Sequence, residues 1–264
     1  MELLPQFFPV VLPDLLPNKG EIMGLDQVKF GKFLEAPNAE ELARVLTPFW
    51  TDDDFRALRG WCSKIDCDPE ELLLVLTSES RLRPDAMNPA TGFPLAAGLN
   101  QMTRIAFQAI DKLPKDDNQA KQLFPALAWA TAKMSVAAQF DSVVVPYFLK
   151  VRESFKGKWT PAGLYMANAA PSQMNKSTDV NAVIYPKGSA AYDGNKGLDT
   201  NGDGQVTTRD LQNAVEYHRE TPEYVAAKYR FRVANGLPLA DAAAPSALMP
   251  GTPTIPGITS GRRR

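Results

Sequence analysis

The spacing of apolar residues predicts a mostly α-helical chain. Apolar positions recur at intervals of three and four over most of its middle part, which is the pattern of helices packed on a core. Pro125 and Pro146 are expected to kink or break the helices that contain them. The predicted helices cover residues 39–46, with Asn38 as a candidate cap, then 51–64, 68–79, 98–110, 118–140, 143–155, a segment from Pro161 onward, and 207–219.

The helix that begins at Asp68 carries a carboxyl at the end of its apolar face. Asp68 can cap the free amides, and Pro69 fits the first helical position. Glu79 continues the apolar stripe that runs through Leu72 and Leu76. Burial against apolar neighbours disfavours the charged form of a carboxyl, so its pKa rises, as a general acid near neutral pH requires. The alternative is a helix-terminal Glu79 that points into water.

A loop rich in Pro, Asn and Gly follows Glu79, and a further helix is expected to open at Gly98. The residues that define this stretch are Glu79-Ser80, Pro84, Asn88-Pro89, Thr91-Gly92 and Gly98-Leu99-Asn100-Gln101. They resemble the signature of the soluble lytic transglycosylases, a family with a lysozyme-like fold that cleaves the glycan strands of bacterial peptidoglycan. The resemblance implies a lysozyme-like helical domain over residues 49–180.

The resemblance also implies a mechanism with one catalytic acid. In this family a single Glu protonates the glycosidic oxygen, the N-acetyl group of the substrate helps to stabilise the cationic sugar, and the same Glu takes a proton from the 6-hydroxyl. Glu79 would be that residue, and a 1,6-anhydro-muramic sugar would be the product. Asp85 is a candidate second carboxylate for a muramidase that uses water on the same fold, although an Asp after Pro more often stabilises a turn.

A second element of the family lies at residues 163–171. Asn168-Ala169 fill the Asn-Ala places of the family's Tyr-Asn-Ala-Gly segment, whereas Ala167 and Ala170 replace its Tyr and Gly. Tyr165, two residues before the motif position, is a candidate to supply the ring. These departures keep open a third interpretation, a structural virion protein whose domain has lost activity. The residues expected at the substrate site, beside Glu79, are Ser80, Gln101, Tyr165 and Asn168.

Residues 199–210 have the ligand spacing of a twelve-residue EF-hand calcium loop. Oxygen-bearing side chains fall at positions one, three and five, and Gly204 allows the sharp turn at position six. Thr207 at position nine can ligate directly or through water. The predicted ligands are Asp199, Asn201, Asp203, the carbonyl of Gln205, and Asp210.

Two features distinguish this loop from a calcium sensor. Asp210 stands where Glu is usual, so the calcium affinity is expected to be lower and Mg²⁺ is a competitor. Residues 192–198 contain two glycines and do not predict a long entering helix. The loop therefore resembles an isolated, dockerin-like half-motif, and we expect a structural Ca²⁺ ion. The alternative is a turn that binds no metal.

Composition narrows the classes of function. The chain has 264 residues, 44% hydrophobic and 22% charged, which is enough for one sizeable core with appendages. Its net charge of −1 and pI near 6.0 give no sign of nucleic-acid binding. No stretch is long enough to span a bilayer. Cys62 and Cys67 have no zinc-ligand spacing and indicate no disulfide framework. His218 is the only histidine, which disfavours Ser-His-Asp catalysis.

The remaining segments bear on location. Residues 1–48 form a proline-rich lead that is a candidate docking segment, residues 181–235 form the calcium segment packed on the core, and residues 236–264 are expected to be a flexible tail. The apolar start lacks a basic leader and is interrupted by prolines, so we expect no signal peptide. A transglycosylase-like core joined to an EF-hand-like segment resembles phage virion proteins. That resemblance implies a phage tail or baseplate enzyme, made in the host cytoplasm, whose partners are peptidoglycan and other virion proteins.

Overall fold

The computed structural model of the protein describes residues 27–90 and 93–239, and most of these residues are helical. The prediction of a mostly α chain is therefore confirmed. A π-helical turn covers Phe140–Val144, and 3₁₀ turns cover Pro171–Lys176, Lys196–Leu198 and Tyr217–Glu220. The α-helices are α1 (Phe30–Leu34), α2 (Ala39–Leu46), α3 (Asp52–Ile65), α4 (Pro69–Ser80), α5 (Arg104–Ala109), α6 (Asp117–Ala132), α7 (Val136–Gln139), α8 (Val145–Ser154), α9 (Pro161–Ala169), α10 (Ala190–Asn195), α11 (Thr208–Glu216) and α12 (Pro222–Ala234).

Two small antiparallel sheets accompany the helices. The first sheet follows α4 and has the order β1 (Met87–Ala90), β2 (Phe93–Ala97), β3 (Met102–Thr103). Ala97 of the central strand pairs with Met87 on one side and with Met102 on the other. The register of β1 and β2 shifts between Asn88 and Pro89. The second sheet pairs β4 (Val183–Tyr185) with β5 (Val206–Thr207).

The segment after Glu79 differs from the prediction. What was expected as a loop is a β-hairpin, and the helix expected to open at Gly98 is absent there. Gly98 has φ +81° and Gln101 has φ +46°, so the backbone leaves the right-handed helical region at both positions. The chain instead turns through residues 98–101 into β3, and α5 begins only at Arg104, capped by the hydroxyl of Thr103.

The bounds of α3 and α4 lie within one residue of those predicted, and both helices follow a capping residue. Thr51 and Asp54 form a capping box at the start of α3, and Asp68 accepts hydrogen bonds from two amides at the start of α4. Helix α2 has the predicted bounds, although Asn38 makes no side-chain cap. The helix predicted over residues 118–140 was wrong, since α6 ends at Ala132 and α7 starts after a new cap at Ser135. Pro125 lies inside α6 without ending it.

Helix α4 lies at the centre of the core. Leu72, Leu73, Leu74, Val75 and Leu76 are all fully buried, so the helix is enclosed on every side and not only along the predicted stripe. The same core includes residues from the predicted calcium segment. These are Ile184, Tyr185, Val206, Leu211, Val215, Tyr224, Ala227 and Phe231.

The start of α4 is held by cations from the end of the chain. Arg219 makes two hydrogen bonds to the Glu71 carboxylate, at 2.9 and 2.7 Å. Arg232 of α12 binds Glu70 in the same way, at 2.7 and 3.3 Å. Both carboxylates lie in the first turn of α4, where negative charge also complements the helix dipole. These pairs fix the position of the helix that carries Glu79.

Residues 27–48 pack on the rest of the protein and are not an extended lead. Phe33 of α1 and Leu42 of α2 are buried in a second core cluster together with Val225 and Ala226 of α12. The docking segment was predicted for residues 1–48 and the flexible tail for residues 236–264, and of these residues 1–26 and 240–264 lie outside the described residues. Within the described ranges, no helix has the length and apolar character needed to cross a membrane.

Candidate active site

Glu79 lies at the last turn of α4 and is 5% exposed. The helix stops immediately afterwards because Arg81 and Leu82 adopt left-handed conformations, with φ +52° and +62°. Burial raises the pKa of Glu79 from 4.5 to about 8, against the smaller, opposing effect of a hydrogen bond from Asn168. A carboxyl with this pKa is mostly protonated at neutral pH and can donate a proton.

Asn168 is the hydrogen-bond partner of Glu79. Its Nδ2 donates to Oε1 of Glu79 at 3.3 Å, across 89 positions of the sequence. Helix α9 carries Asn168 and begins at Pro161, with the hydroxyl of Thr160 capping the amide of Gly163. Oδ1 of Asn168 is buried and has no hydrogen-bond partner within the described part of the chain. This free acceptor is available to a substrate hydroxyl or amide.

Two tyrosines fix the backbone on either side of Asn168. The Tyr147 hydroxyl donates to the Ala167 carbonyl at 2.5 Å, and the Tyr185 hydroxyl donates to the Ala169 carbonyl at 2.7 Å. Both carbonyls belong to the last turn of α9, where no helical amide follows to bond them. Burial and the nearby Glu79 charge raise the pKa of Tyr185 to about 12 and also raise the pKa of Tyr147.

No pattern in the sequence marks these two tyrosines. Tyr147 lies on α8 and Tyr185 on β4, and neither belongs to the motif that carries Asn168. Tyr165, which was predicted at the site, is buried in α9 one turn before Asn168. Burial, and after it the charges of Glu79 and Tyr185, raise the pKa of Tyr165 well above its ordinary value. The charge of Glu79 thus raises the pKa of three tyrosines, and none of them stands at the motif position that Ala167 occupies.

Gln101 closes the base of the hairpin. Its Nε2 donates to the Gly98 carbonyl at 2.9 Å and to the Ala86 carbonyl at 3.3 Å. Its side chain is buried, and among the described residues its Oε1 has no partner. Gln101 and Asn168, both predicted at the substrate site, therefore each keep one buried acceptor unused.

Gln139 connects the hairpin to the helices, and sequence analysis missed it. Its Oε1 accepts from the Leu99 amide at 2.8 Å, and its Nε2 donates to the carbonyls of Pro84 and Thr131, at 2.7 and 2.9 Å. The side chain is buried at the end of α7, directly before the π-helical turn. One amide group thus joins both ends of the hairpin to the end of α6.

The side chains of Ser80 and Asp85 are each hydrogen-bonded within their own segment of the chain. The Ser80 side chain is buried, and its hydroxyl donates to the Leu76 carbonyl one turn earlier in its own helix, at 3.1 Å. It supports the backbone and is not placed to contact a substrate. The Asp85 carboxylate accepts two hydrogen bonds from the Arg83 guanidinium, both at 2.9 Å. This pair occupies the carboxylate that a muramidase mechanism would need.

The candidate calcium loop has the expected turn. Gly204 has φ +89°, a conformation that favours glycine, and the Gly204 amide donates to Oδ2 of Asp199 at 2.9 Å. Oδ1 of Asn201 accepts from the Asp203 amide at 2.9 Å, and Oδ1 of Asp203 accepts from the Gln205 amide at 3.0 Å. These bonds orient the three side chains at positions one, three and five, which therefore fit an oxygen-ligand site.

The charged form of Asp199, at position one of the candidate calcium loop, is favoured. Burial alone would raise the pKa of Asp199, but hydrogen bonds from the Gly204 amide and the Tyr192 hydroxyl outweigh it and leave the pKa below its ordinary value. The short strand of the loop pairs with β4, where Val206 lies opposite Tyr185. A strand from the same chain thus takes the place that a second calcium loop would occupy.

Asp210, at position twelve, is already engaged by protein donors. Its Oδ1 accepts from the amide and hydroxyl of Thr200, at 3.1 and 2.6 Å, and its Oδ2 accepts from the amide and hydroxyl of Thr207, at 2.9 and 2.6 Å. A carboxylate has about four acceptor sites, so ligation by Asp210 requires some of these bonds to be exchanged. In the part of the chain that the structure describes, no three His, Cys, Asp or Glu side chains form a metal-binding group. The calcium site stays a prediction.

Two surface cavities lie away from Glu79. One of about 430 Å³ is lined by Leu34, Pro37 and Tyr229, and one of about 280 Å³ is lined by Phe93, Ile105 and Phe124, among other residues. Neither includes Glu79, Gln101 or Asn168. These two cavities are therefore separate from the candidate site.

No protein-family model, curated protein or solved structure matches the chain. The resemblance to lytic transglycosylases is thus carried by the motifs quoted above, and the lysozyme-like fold stays a prediction.

Proposed function

We propose that the protein cleaves the glycan strands of peptidoglycan as a lytic transglycosylase, with Glu79 as the general acid and base. The observation that carries this proposal is the hydrogen bond between Glu79 and Asn168. These residues come from two separate motifs, and they meet at a buried acid whose pKa is raised to about 8. A buried, protonated carboxyl beside the unpartnered amide oxygen of Asn168 is suited to proton transfer to a sugar oxygen.

Each residue of the site would have a separate role in the reaction. Glu79 protonates the glycosidic oxygen between the muramic acid and glucosamine units, and then accepts a proton from the 6-hydroxyl. Asn168 holds Oε1 of Glu79 in place, while the free oxygens of Asn168 and Gln101 accept hydrogen bonds from the sugar. Tyr147 and Tyr185 keep the Asn168 backbone fixed. The side chain of Asp85 is held by Arg83, which favours the route without a second carboxylate.

The products distinguish the candidate functions. Purified peptidoglycan is incubated with the wild-type chain, and the released sugars are analysed by mass spectrometry. Anhydro-muramic ends are expected, each lighter than a hydrolysed end by one water. Hydrolysed ends would identify a muramidase instead. No release from a folded wild-type chain would favour the inactive virion protein.

We expect replacement of Asn168 by Ala to move the alkaline limb of the pH–rate profile to higher pH. The hydrogen bond from Asn168 lowers the Glu79 pKa, so its loss raises that pKa above about 8. The rate at neutral pH should fall roughly 10- to 100-fold, because Glu79 is no longer held in position. The measurement is kcat/KM on soluble glycan strands between pH 5 and pH 10.

Asn118→Ala is the matched control, since Asn118 is an exposed residue at the start of α6. It should leave both the rate and the profile unchanged. An alkaline limb that stays in place in Asn168→Ala would contradict the assignment of Glu79 as the titrating acid.

We further propose that residues 199–210 bind Ca²⁺ as a structural ion, with Mg²⁺ as a weaker competitor. The fit rests on the oriented oxygens of Asp199, Asn201 and Asp203 and on the turn at Gly204. The ion would supply positive charge that draws these oxygens together. Phage particles as the site of action, and other virion proteins as partners, are proposals that rest on the motif combination alone.

Addition of Ca²⁺ in place of EGTA is expected to raise the melting temperature of the full chain. Binding to the folded state alone adds about 2.7 kcal/mol to the free energy of unfolding when free Ca²⁺ is one hundred times its Kd. Asp199→Asn should abolish the shift, whereas Asp193→Asn, a change at an exposed acid just outside the loop, should retain it. Equal melting temperatures with and without Ca²⁺ would exclude the site.

A further inference from the structure

The two cysteines lie at the turn between α3 and α4. Helix α3 ends at Ile65, and Asp66 follows in a left-handed conformation with φ +58°. The amides of Asp66 and Cys67 both bond to the Cys62 carbonyl, the second at 3.1 Å. A bond from the sixth residue back to the first, around a left-handed residue, is the Schellman geometry of helix ends. It places the side chains of Cys62 and Cys67 against each other.

The backbone spacing suits a covalent link. The 3.1 Å bond between the Cys67 amide and the Cys62 carbonyl, with standard bond lengths, keeps the two Cα atoms within about 7 Å. Disulfides usually span about 4.4–6.8 Å between Cα atoms. The backbone turn brings the two side chains close together, and in agreement with this a hydrogen bond with Cys67, followed by burial, raises the pKa of the Cys62 thiol. Both thiols are free in this structure.

The turn is also held from outside. The Trp159 indole donates to the Ile65 carbonyl at 2.8 Å, and the Arg152 guanidinium donates to the Asp66 carboxylate at 2.6 Å. Cys62 is 1% exposed, whereas Cys67 is partly exposed and packs on the edge of the same core. A reagent can therefore reach Cys67, whereas Cys62 lies buried beside it in a fixed position.

We propose that Cys62 and Cys67 form a reversible intramolecular disulfide when the folded chain meets a low-molecular-weight disulfide such as glutathione disulfide. The Cys67 thiol loses its proton, and the thiolate attacks one sulfur of glutathione disulfide and releases the first glutathione. The Cys62 thiol then loses its proton and attacks the sulfur of Cys67, which releases the second glutathione. Two protein thiols are oxidised, and one glutathione disulfide is reduced to two glutathiones.

The link would fix the junction that leads into the Glu79 helix. Asp68, the N-cap of α4, follows Cys67 directly. The disulfide would therefore join the last turn of α3 to the residue that precedes this cap. The sequence alone gave no sign of this pair, because two cysteines five positions apart face each other only when a left-handed residue reverses the chain between them. This inference is independent of the proposed glycan-cleaving function.

The test uses the reduced full-length chain, equilibrated in glutathione buffers of graded ratio, quenched with acid and alkylated with N-ethylmaleimide. Intact mass should show both thiols protected together, without a retained glutathione. Lys64 lies between the two cysteines, so trypsin should yield two peptides, residues 60–64 and 65–81, joined by the disulfide. Full alkylation in the most oxidising buffer, a stable glutathione adduct or a disulfide-linked dimer would each overturn the proposal.

Cysteine variants and a measurement in denaturant distinguish a disulfide that depends on the folded turn from one that forms only because the cysteines are close in sequence. Cys62→Ala should stop at one glutathione on Cys67, whereas Cys67→Ala should leave Cys62 unmodified, because only Cys67 is accessible. In denaturant, half-oxidation of the wild type should need a ratio of glutathione disulfide to reduced glutathione at least about tenfold higher, since the preformed turn is lost. An unchanged ratio would show that the native turn does not bring the thiols together.

Discussion

Replacement of Glu79 by Gln is expected to lower the rate of glycan cleavage by about 10²- to 10⁴-fold while the fold is retained. Gln has the shape of a protonated carboxyl and can still accept the hydrogen bond from Asn168, but its amide is not acidic and cannot protonate the glycosidic oxygen. The measurement is the release of soluble sugars from purified peptidoglycan, with circular dichroism to verify the fold. Undiminished release from Glu79→Gln would remove Glu79 from the mechanism.

The same variant should change how stability depends on pH. The Glu79 pKa is about 8 in the folded protein and 4.5 as its ordinary value, so the folded state binds more protons between these pH values. The contribution of Glu79 to stability is therefore complete below about pH 4.5 and is lost as the pH rises to about 8. The slope is at most about 1.4 kcal/mol per pH unit.

Urea unfolding at several pH values tests this dependence. Glu79→Gln should lose the slope and become more stable than the wild type at pH 8, since no charge is then buried. Glu153→Gln is the control, because the Glu153 side chain is 65% exposed and should leave the slope unchanged. A wild-type slope that persists in Glu79→Gln would mean that Glu79 is not the buried acid that titrates.

The parts of the site that sequence analysis placed correctly depend on local signals. Helix α4 was predicted from Asp68, Pro69 and the apolar run that follows, and these residues cap and bury it as expected. Glu79 is buried because it continues this run by one turn. Asn168 was singled out by its motif, and its contact with Glu79 arises where α9 packs beside α4.

The parts that were missed depend on contacts between distant segments. Tyr185 reaches the Ala169 carbonyl because β4 pairs with β5, and Gln139 reaches Leu99 across 40 positions. No periodic pattern marks either residue. The helix expected at Gly98 was wrong for a different reason, since the local sequence permits a helix there, but the hairpin requires positive φ at Gly98 and Gln101. Tertiary pairing decided the conformation of that segment.

The candidate calcium loop shows the same division. Its turn and its oxygen side chains follow from spacing within twelve residues, as predicted. The way in which the loop packs on the rest of the protein does not follow from that spacing. Val206 pairs with Tyr185, and the hydroxyl of Tyr185 holds the end of α9 next to Asn168. A chain of two contacts thus joins the loop to the candidate active site, which the sequence could not indicate.

Gly98→Ala is expected to destabilise the protein by about 2–4 kcal/mol. Gly98 has φ +81°, a conformation that side chains with a Cβ rarely adopt, and an added Cβ would lie 2.6 Å from Oε1 of Gln139 and 3.1 Å from the Thr131 methyl. Gln139 cannot move aside cheaply, because its amide is bonded to Leu99, Pro84 and Thr131. The measurement is the urea midpoint of unfolding, with the slope of the transition monitored.

Two comparisons show whether the loss has this cause. Gly60→Ala lies in α3 with no atom within 4 Å of the added Cβ, so it should stabilise the protein by up to about 1 kcal/mol. In the double variant Gly98→Ala/Gln139→Ala, the steric conflict is removed, so the combined destabilisation should be smaller than the sum of the two single effects. Strict additivity would show that the contact with Gln139 is not what restricts position 98, and would leave the positive φ and the contact with the Thr131 methyl as the sources of the cost. A shortfall of about 1 kcal/mol or more would show that Gln139 holds the turn after β2 in place, and with it the Gln101 side chain at the candidate site.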